Sequence, residues 1–240
     1  MNMLSIIIPH YNEESRIRRF HDKYFRLLDY LKSEVKDFEI ILEEDGSRDN
    51  TKELLREISS KDDHFVLLTH EERLGKGGGL ISAFRASKGE YIILLDADFP
   101  VPFETIGEIY KKLKEGYDVV IPSRRHPESK TDIPLLRRVF SLGYNIFVRL
   151  LFKINIRDTQ IGVKGFRREV LEKCLPRYAL GFSMDVEILV RAYRLGYKIL
   201  EIPTRYRHGS EEHVNILRES YKMGKETIRL WKMLKHEGLI

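Results

Sequence analysis

The chain of 240 residues contains one cysteine, Cys174, and one tryptophan, Trp231. A lone cysteine excludes an internal disulfide, and with no His/Cys cluster around it a zinc site is not expected. Long hydrophobic runs are missing as well: no stretch approaches the roughly 18 apolar residues a membrane-spanning helix requires. The segment Met1 to Pro9 carries no cationic leader and reaches Tyr11-Asn12-Glu13-Glu14 too early for a secretory signal, so a cytoplasmic location is expected. Charge is only mildly unbalanced, with 42 Lys and Arg against 37 Asp and Glu and a net charge of +5. That surplus attracts anions in general. The basic residues follow no helix-turn-helix, zinc-finger or aromatic-rich RNA-binding pattern, so nucleic acid is not an expected partner. A phosphorylated ligand or an anionic membrane surface accounts for the same charge.

What is present suits an ordinary globular protein: 42% hydrophobic and 33% charged residues, in a chain long enough to bury a substantial core. Its organising stretch is Tyr91-Ile92-Ile93-Leu94-Leu95-Asp96-Ala97-Asp98. The apolar run between Gly89 and Pro100 is too short for a helix and reads as a buried strand that ends in two carboxylates. Alternation along an extended backbone places Asp96 and Asp98 on one side, where both can face a hard divalent ion such as Mg²⁺ or Mn²⁺ bridging a diphosphate. An Asx-turn closing the strand is the competing reading.

Strands are expected at Leu4 to Pro9, Phe38 to Leu42 and Phe65 to Leu68, with helices between them. Asn12 or Ser15 would cap the first helix, and Asp49 or Asn50 would begin the second. This alternation argues an α/β fold with a mostly parallel sheet covered by helices on both faces, whose ligand lies beyond the carboxyl ends of the strands. The clusters Pro9-His10-Tyr11-Asn12-Glu13, Glu44-Asp45-Gly46-Ser47 and Asp96-Ala97-Asp98 all fall at that edge. Gly75-Lys76-Gly77-Gly78-Gly79 fits neither a dinucleotide fingerprint, which follows the first strand, nor a P-loop. It is either a tight turn or a helix start that brings Lys76 and backbone N–H groups to an anion.

The second half has a strand at Asp118 to Pro122 and an unusually apolar helix from Leu135 to Leu151, interleaved with Arg137, Arg138, Ser141 and Arg149. A strand-like piece spans Ile161 to Phe166. Asp185 and Glu187 open a further helix, either as favourable charges at its N-terminus or as ligand contacts. Lys198 to Ile202 is a last strand. Toward the C-terminus, Val214, Leu217, Tyr221, Ile228 and Trp231 share one helical face beside Arg218, Lys222, Lys225, Arg229 and Lys232. Such a basic amphipathic helix either lies on an anionic membrane or packs on the domain.

Six ordered motifs carry a family resemblance: Ile8-Pro9-x-Tyr11-Asn12-Glu13, Glu44-Asp45-Gly46-Ser47-x-Asp49-x-Thr51, Gly75-Lys76-Gly77, Asp96-Ala97-Asp98, Ser123-Arg124-Arg125 and Asp158-Thr159-Gln160-x-Gly162-x-Lys164. Over about residues 4 to 210 the chain resembles the inverting family 2 glycosyltransferases of GT-A fold, and within them the polyprenyl- (dolichyl-) phosphate hexosyltransferases. The last motif looks more like the glucosyl than the mannosyl branch. The resemblance implies a catalytic domain over 1–210 and a basic amphipathic helix over 211–240. It further implies metal-dependent transfer of glucose or mannose from UDP-glucose or GDP-mannose to polyprenyl phosphate.

By the same resemblance Pro9, Tyr11, Glu13 and Glu44 line the base and ribose pocket, Asp45 and Lys76 sit near base and phosphates, and Asp96, Ala97 and Asp98 bear on the donor and its metal. Arg124, Arg137 and Ser141 receive the lipid phosphate, with Arg138 as an alternative to Arg137, and Asp185 faces sugar or acceptor. Glu44 stands where the family usually has Asp. Pro100 stands where the mannosyl branch tends to carry a metal-binding Gln, leaving His208 as a candidate third ligand. A phosphate monoester is already largely ionised near neutral pH, so it needs no base. Transfer to a sugar hydroxyl with Asp185 as base is the rival within this chemistry, and a noncatalytic nucleotide-sugar or nucleic-acid binder is the rival outside it.

Overall fold

The computed structural model describes residues 2–179, 181, 183–207 and 216–240, the side chains of residues 136, 137, 207 and 216–221 excepted. In chain order the elements are β1 (Leu4–His10), α1 (Glu14–Glu34), β2 (Phe38–Glu44), α2 (Thr51–Ser59), β3 (Phe65–Thr69), α3 (Gly75–Ala86), β4 (Tyr91–Leu95), α4 (Phe103–Lys114) and β5 (Val119–Pro122). There follow β6 (Lys130–Asp132), α5 (Leu135–Phe152), β7 (Val163–Arg167), α6 (Arg168–Cys174), α7 (Met184–Arg194), β8 (Ile199–Ile202), β9 (Arg205–Arg207) and α8 (Ile216–His236).

Seven strands form one sheet in the order β3-β2-β1-β4-β7-β5-β8, and β6 pairs with β9 in a small second sheet. All pairings in the large sheet are parallel except those of β7, which runs antiparallel to both β4 and β5. The mostly parallel α/β sheet read from the sequence is thus present. Its strands are largely apolar, as suits a sheet covered on both faces: Leu4, Ile6, Ile7 and Ile8 of β1 and Ile92 and Ile93 of β4 are buried, with Ser5, Glu39, Glu43, Glu44 and Lys164 among the buried polar exceptions. From β1 the chain winds outward through β2 and β3, then returns to place β4 on the other side. The order reverses between β1 and β4, and a crevice opens at their carboxyl ends.

Three local expectations are corrected. Neither Asn12 nor Ser15 caps α1. Its N-cap is Glu13, without a side-chain cap, while Asn12 takes a left-handed φ of 52° and turns to the next loop. There its Oδ1 accepts from the Arg48 N–H at 2.9 Å and its own N–H donates to Ser47 Oγ at 3.0 Å. Second, Asp96 to Phe99 is a turn rather than extended strand: the Phe99 N–H donates to the Asp96 carbonyl at 3.0 Å and Phe99 has a φ of 51°. Side-chain alternation therefore does not aim the two acids. The third concerns α4, a helix absent from the sequence reading although Ile106, Ile109, Tyr110 and Leu113 have helical spacing and are buried.

The described part of α8 packs on the domain. Leu230 and Leu234 are buried, and the Tyr144 and Thr227 hydroxyls meet at 2.7 Å. Among the described residues, no helix is long and apolar enough to cross a membrane.

Candidate active site

The three loops at the switch point lock one another. Glu13 N–H donates to Thr51 Oγ1 at 2.8 Å and Glu14 N–H to Asp49 Oδ2 at 3.2 Å, so the β2–α2 loop supplies what the start of α1 lacks. Glu13 itself is ion-paired with Arg16 at 2.6 Å. The Arg73 guanidinium lies 3.8 Å from the Tyr11 ring centroid, a stacked cation on the rim. Glu44 and Asp45 are both buried. Glu44 Oε1 accepts from the Ser47 N–H at 2.5 Å, while its Oε2 has no partner. Asp45 gives both oxygens to the start of α3, accepting from the Leu74 N–H at 2.5 Å and the Gly75 N–H at 2.9 Å. A carboxylate there answers the orphan donors and the positive end of the helix dipole. It also fixes where the next residue, Lys76, begins its reach.

Lys76 Nζ lies 3.2 Å from Asp96 Oδ1. Burial works against the ammonium, but Asp96, Asp185 and Asp98 outweigh it and hold the lysine above its ordinary value. Asp96 is held in turn by Gly162, whose carbonyl accepts the Asp96 N–H at 2.8 Å. A Cβ at position 162 would fall inside the Asp96 carboxylate. Ala97 is buried. Asp98 has one buried carboxylate oxygen without a hydrogen-bond partner among the described residues, and burial first, then the Asp96 charge, push its proton affinity up. Two neighbouring carboxylates, one with an orphaned oxygen, are the donor set a hard divalent cation would complete. No grouping of three or more His, Cys, Asp or Glu positioned to hold a metal occurs among the described residues. The third ligand anticipated at His208 lies outside the described residues.

Below Asp96 a pocket is lined by Pro9, Lys76, Asp96, Gly162, Lys164 and Asp185. Lys164, on the inserted strand β7, is almost fully buried, and its Nζ sits 3.0 Å from Asp185 Oδ1 and contacts the Ile161 carbonyl. Asp185 thus shares the pocket with the donor-side residues, as anticipated, but carries a lysine partner that sequence reasoning did not assign.

A second cluster stands beside it. Arg124 makes a two-pronged contact with Asp158, Nε to Oδ2 at 2.7 Å and an Nη to Oδ1 at 2.8 Å. Arg125 reaches the same Asp158 Oδ1 at 3.0 Å and donates to Ser141 Oγ at 2.8 Å. Asp158 is wholly buried; burial alone would raise its proton affinity, yet the two arginines reverse that and hold it ionised. Arg124 and Ser141 are linked through Asp158 and Arg125, a residue to which the sequence assigns no role. The side chain of Arg137 lies outside the described residues.

Tyr206 of β9 lies 5.1 Å below the Arg124 guanidinium. Burial raises its phenol proton affinity, Arg124 opposes, and Asp98 and Asp96 raise it further, so this ring adjoins both clusters. The helix carrying Ser141 exposes Leu135, Val139, Leu142, Ile146 and Leu150. Their spacing of three and four residues draws one apolar stripe along α5.

A family model described as glycosyl transferase family 2 matches residues 5–175. The glycosyltransferase AglD of Haloferax volcanii is 32% identical over 234 residues, which cover 96% of this chain and 37% of that protein. A dolichyl-phosphate beta-glucosyltransferase of Trichomonas vaginalis is 34% identical over 85% of this chain and 65% of its own length. One from Dictyostelium discoideum is 30% identical over 95% of this chain and 73% of its own. The chain therefore spans between about a third and three quarters of these relatives. Among solved structures, glucosyl-3-phosphoglycerate synthase from Mycobacterium tuberculosis, in complex with Mn²⁺, UDP and glucosyl-3-phosphoglycerate, superposes with a TM-score of 0.70 at 18% identity, covering 96% of this chain and 80% of that one. The mannosyltransferase PcManGT from Pyrobaculum calidifontis, in complex with GDP-Man and Mn²⁺, gives 0.63 at 20% identity, over 88% and 58%. At these identities the two structures establish a shared fold.

Proposed function

The chain belongs to glycosyltransferase family 2, and from that premise we propose that it transfers a hexose from a nucleoside diphosphate sugar to a polyprenyl phosphate, with inversion at the anomeric carbon. The observation that carries this reading is the joining of Arg124 and Arg125 on buried Asp158, at the flank of a helix whose outer face is apolar. Paired guanidinium forks suit phosphate oxygens, and an apolar stripe suits what hangs from a lipid phosphate. The relatives named dolichyl-phosphate beta-glucosyltransferase support glucose as the sugar.

In this mechanism Lys76 and the forks of Arg124 and Arg125 offset the repulsion between two anionic substrates. Asp96 and Asp98 would hold a divalent ion, Mg²⁺ or Mn²⁺, which when bound takes up negative charge on the departing diphosphate. Lys23 donates from α1 to the Asp98 and Phe99 carbonyls, each at 3.3 Å, and keeps the left-handed Phe99 turn in place. An oxygen of the acceptor phosphate attacks the anomeric carbon as the bond to the nucleoside diphosphate breaks on the opposite face. No proton must be removed from a dianionic acceptor. Asp185, with one oxygen already on Lys164, is then not required as a base. The stripe on α5, flanked by Arg138, Arg149 and Lys153, would rest on an anionic membrane surface and bring the site to its lipid.

The test offers labelled UDP-glucose or GDP-mannose, with Mn²⁺, to polyprenyl phosphate in vesicles and to a soluble glycan. Label extracted with the lipid is the expected result. Label on the glycan alone would give the reaction to Asp185 as base instead.

A further inference from the structure

Two ion pairs stand side by side in the pocket below Asp96: Lys76 with Asp96 at 3.2 Å and Lys164 with Asp185 at 3.0 Å. The first follows from the donor chemistry already described. The second has no part in it. Lys164 faces Leu94 across the β4–β7 register, on a strand whose neighbours Val163, Gly165 and Phe166 are buried. A buried lysine is costly unless its charge is met, and removing a partner costs more than never having had the pair. Here the charge is met on two sides, by Asp185 Oδ1 and the Ile161 carbonyl. An ammonium carries three donors, so one N–H remains beyond these two contacts, and of the two Asp185 oxygens it is Oδ1 that Lys164 holds. Asp185 is at the same time close enough to Lys76 to help hold that lysine charged. The charged part of the pocket wall therefore reads acid, base, acid, base in the order Asp96, Lys76, Asp185, Lys164, beside an apolar part made by Ile7, Leu80, Leu94, Leu95 and Met184.

Alternating acceptors and donors on one wall match adjacent hydroxyls of a pyranose, each of which both donates and accepts. A prenyl chain offers no such pattern. We propose that Lys164 is the positioning residue for sugar recognition: it pins Asp185 by one oxygen so that the other stays turned to a hexose hydroxyl. Without Lys164 the Asp185 carboxylate would lose the contact that fixes its rotamer, and its second oxygen would no longer be held in one direction. This inference rests on the nucleotide-sugar reading, and it concerns only the sugar half of the donor.

The test compares affinities for UDP and UDP-glucose, and for GDP and GDP-mannose, by calorimetry with Mn²⁺ in the full chain. In the wild type the sugar adds affinity over the bare nucleotide. Lys164→Met is expected to leave nucleotide affinity within about twofold while losing about tenfold for the sugar nucleotide, the scale of one hydrogen bond to a charged group. A merely structural lysine would lower both alike. Because Lys164→Met strands a buried carboxylate, the double variant Lys164→Met/Asp185→Leu, an apolar pair of similar volume, is measured beside it. It too should bind the nucleotide and lose the sugar increment. An increment retained in either folded variant overturns the role of Lys164 and leaves the donor site standing. A wild-type chain that binds none of the four ligands overturns the nucleotide-sugar reading, and this inference with it.

Discussion

At position 43 the sheet hides an acid that does no recognisable chemistry. Glu43 is buried, its Oε1 3.4 Å from His70 Nε2, and neither atom is hydrogen-bonded among the described residues. Burial, then Asp45 and Glu44, push its proton affinity up to about 8. The folded chain keeps this proton after the unfolded chain has lost it, so the group supports folding in acid and the support drains as pH rises from the ordinary Glu range to about 8. Glu43→Gln should flatten that slope, by up to about 1.4 kcal/mol per pH unit, in urea midpoints taken at pH 5 and pH 8. Asp98 stores a cost of the same sign beside Asp96. Asp98→Asn is expected to raise the thermal midpoint at neutral pH and to abolish any further rise on adding Mn²⁺ with UDP or GDP, the trade between stability and function common at active sites. Asp158→Asn acts the other way. Two arginines lose their buried counter-charge, and a stability loss of about 3–5 kcal/mol is expected in chemical denaturation.

The elements divide into those whose signal is local and those whose signal is not. β1, β2, β4 and α5 were legible because period and length speak within a dozen residues. The same holds for α4, whose buried Ile106, Ile109, Tyr110 and Leu113 recur at helical spacing within one short segment. The turn at Asp96 to Phe99 could not be read from alternation, since alternation holds only while the backbone is extended. Nor could the Arg124–Asp158 contact, which spans 34 positions and is closed by the reversal of β7. Its trace in the sequence was two charged motifs of opposite sign with no local partners. On α5 the exposed stripe gives a direct test. Leu142→Glu/Ile146→Glu, on this half-exposed stripe, should move the thermal midpoint little and reduce co-sedimentation with vesicles containing anionic lipid. Gly162→Ala belongs at this scale too. Its Cβ would displace Asp96 from where β7 meets β4, and loss of transfer with a preserved far-ultraviolet spectrum is the expected result.

Across the whole molecule, the reversal of strand order gathers what the chain keeps apart. The carboxyl ends of β1, β2 and β4 bring Tyr11, Asp45 and Asp96 to one crevice, and the antiparallel β7 delivers Gly162 and Lys164 to its floor. Tyr206 adjoins both the acids on that side and the arginines beyond. Under the proposed function a donor site and an anion clamp would share this wall, and the clamp rather than a general base would select the acceptor. The most direct measurement compares transfer of labelled hexose to polyprenyl phosphate with transfer to the unphosphorylated polyprenol of the same chain length, in the same vesicles. Label is expected on the phosphate alone, and it should fall sharply in Arg124→Gln/Arg125→Gln. Label on the polyprenol, or undiminished transfer by the arginine variant, would contradict the account.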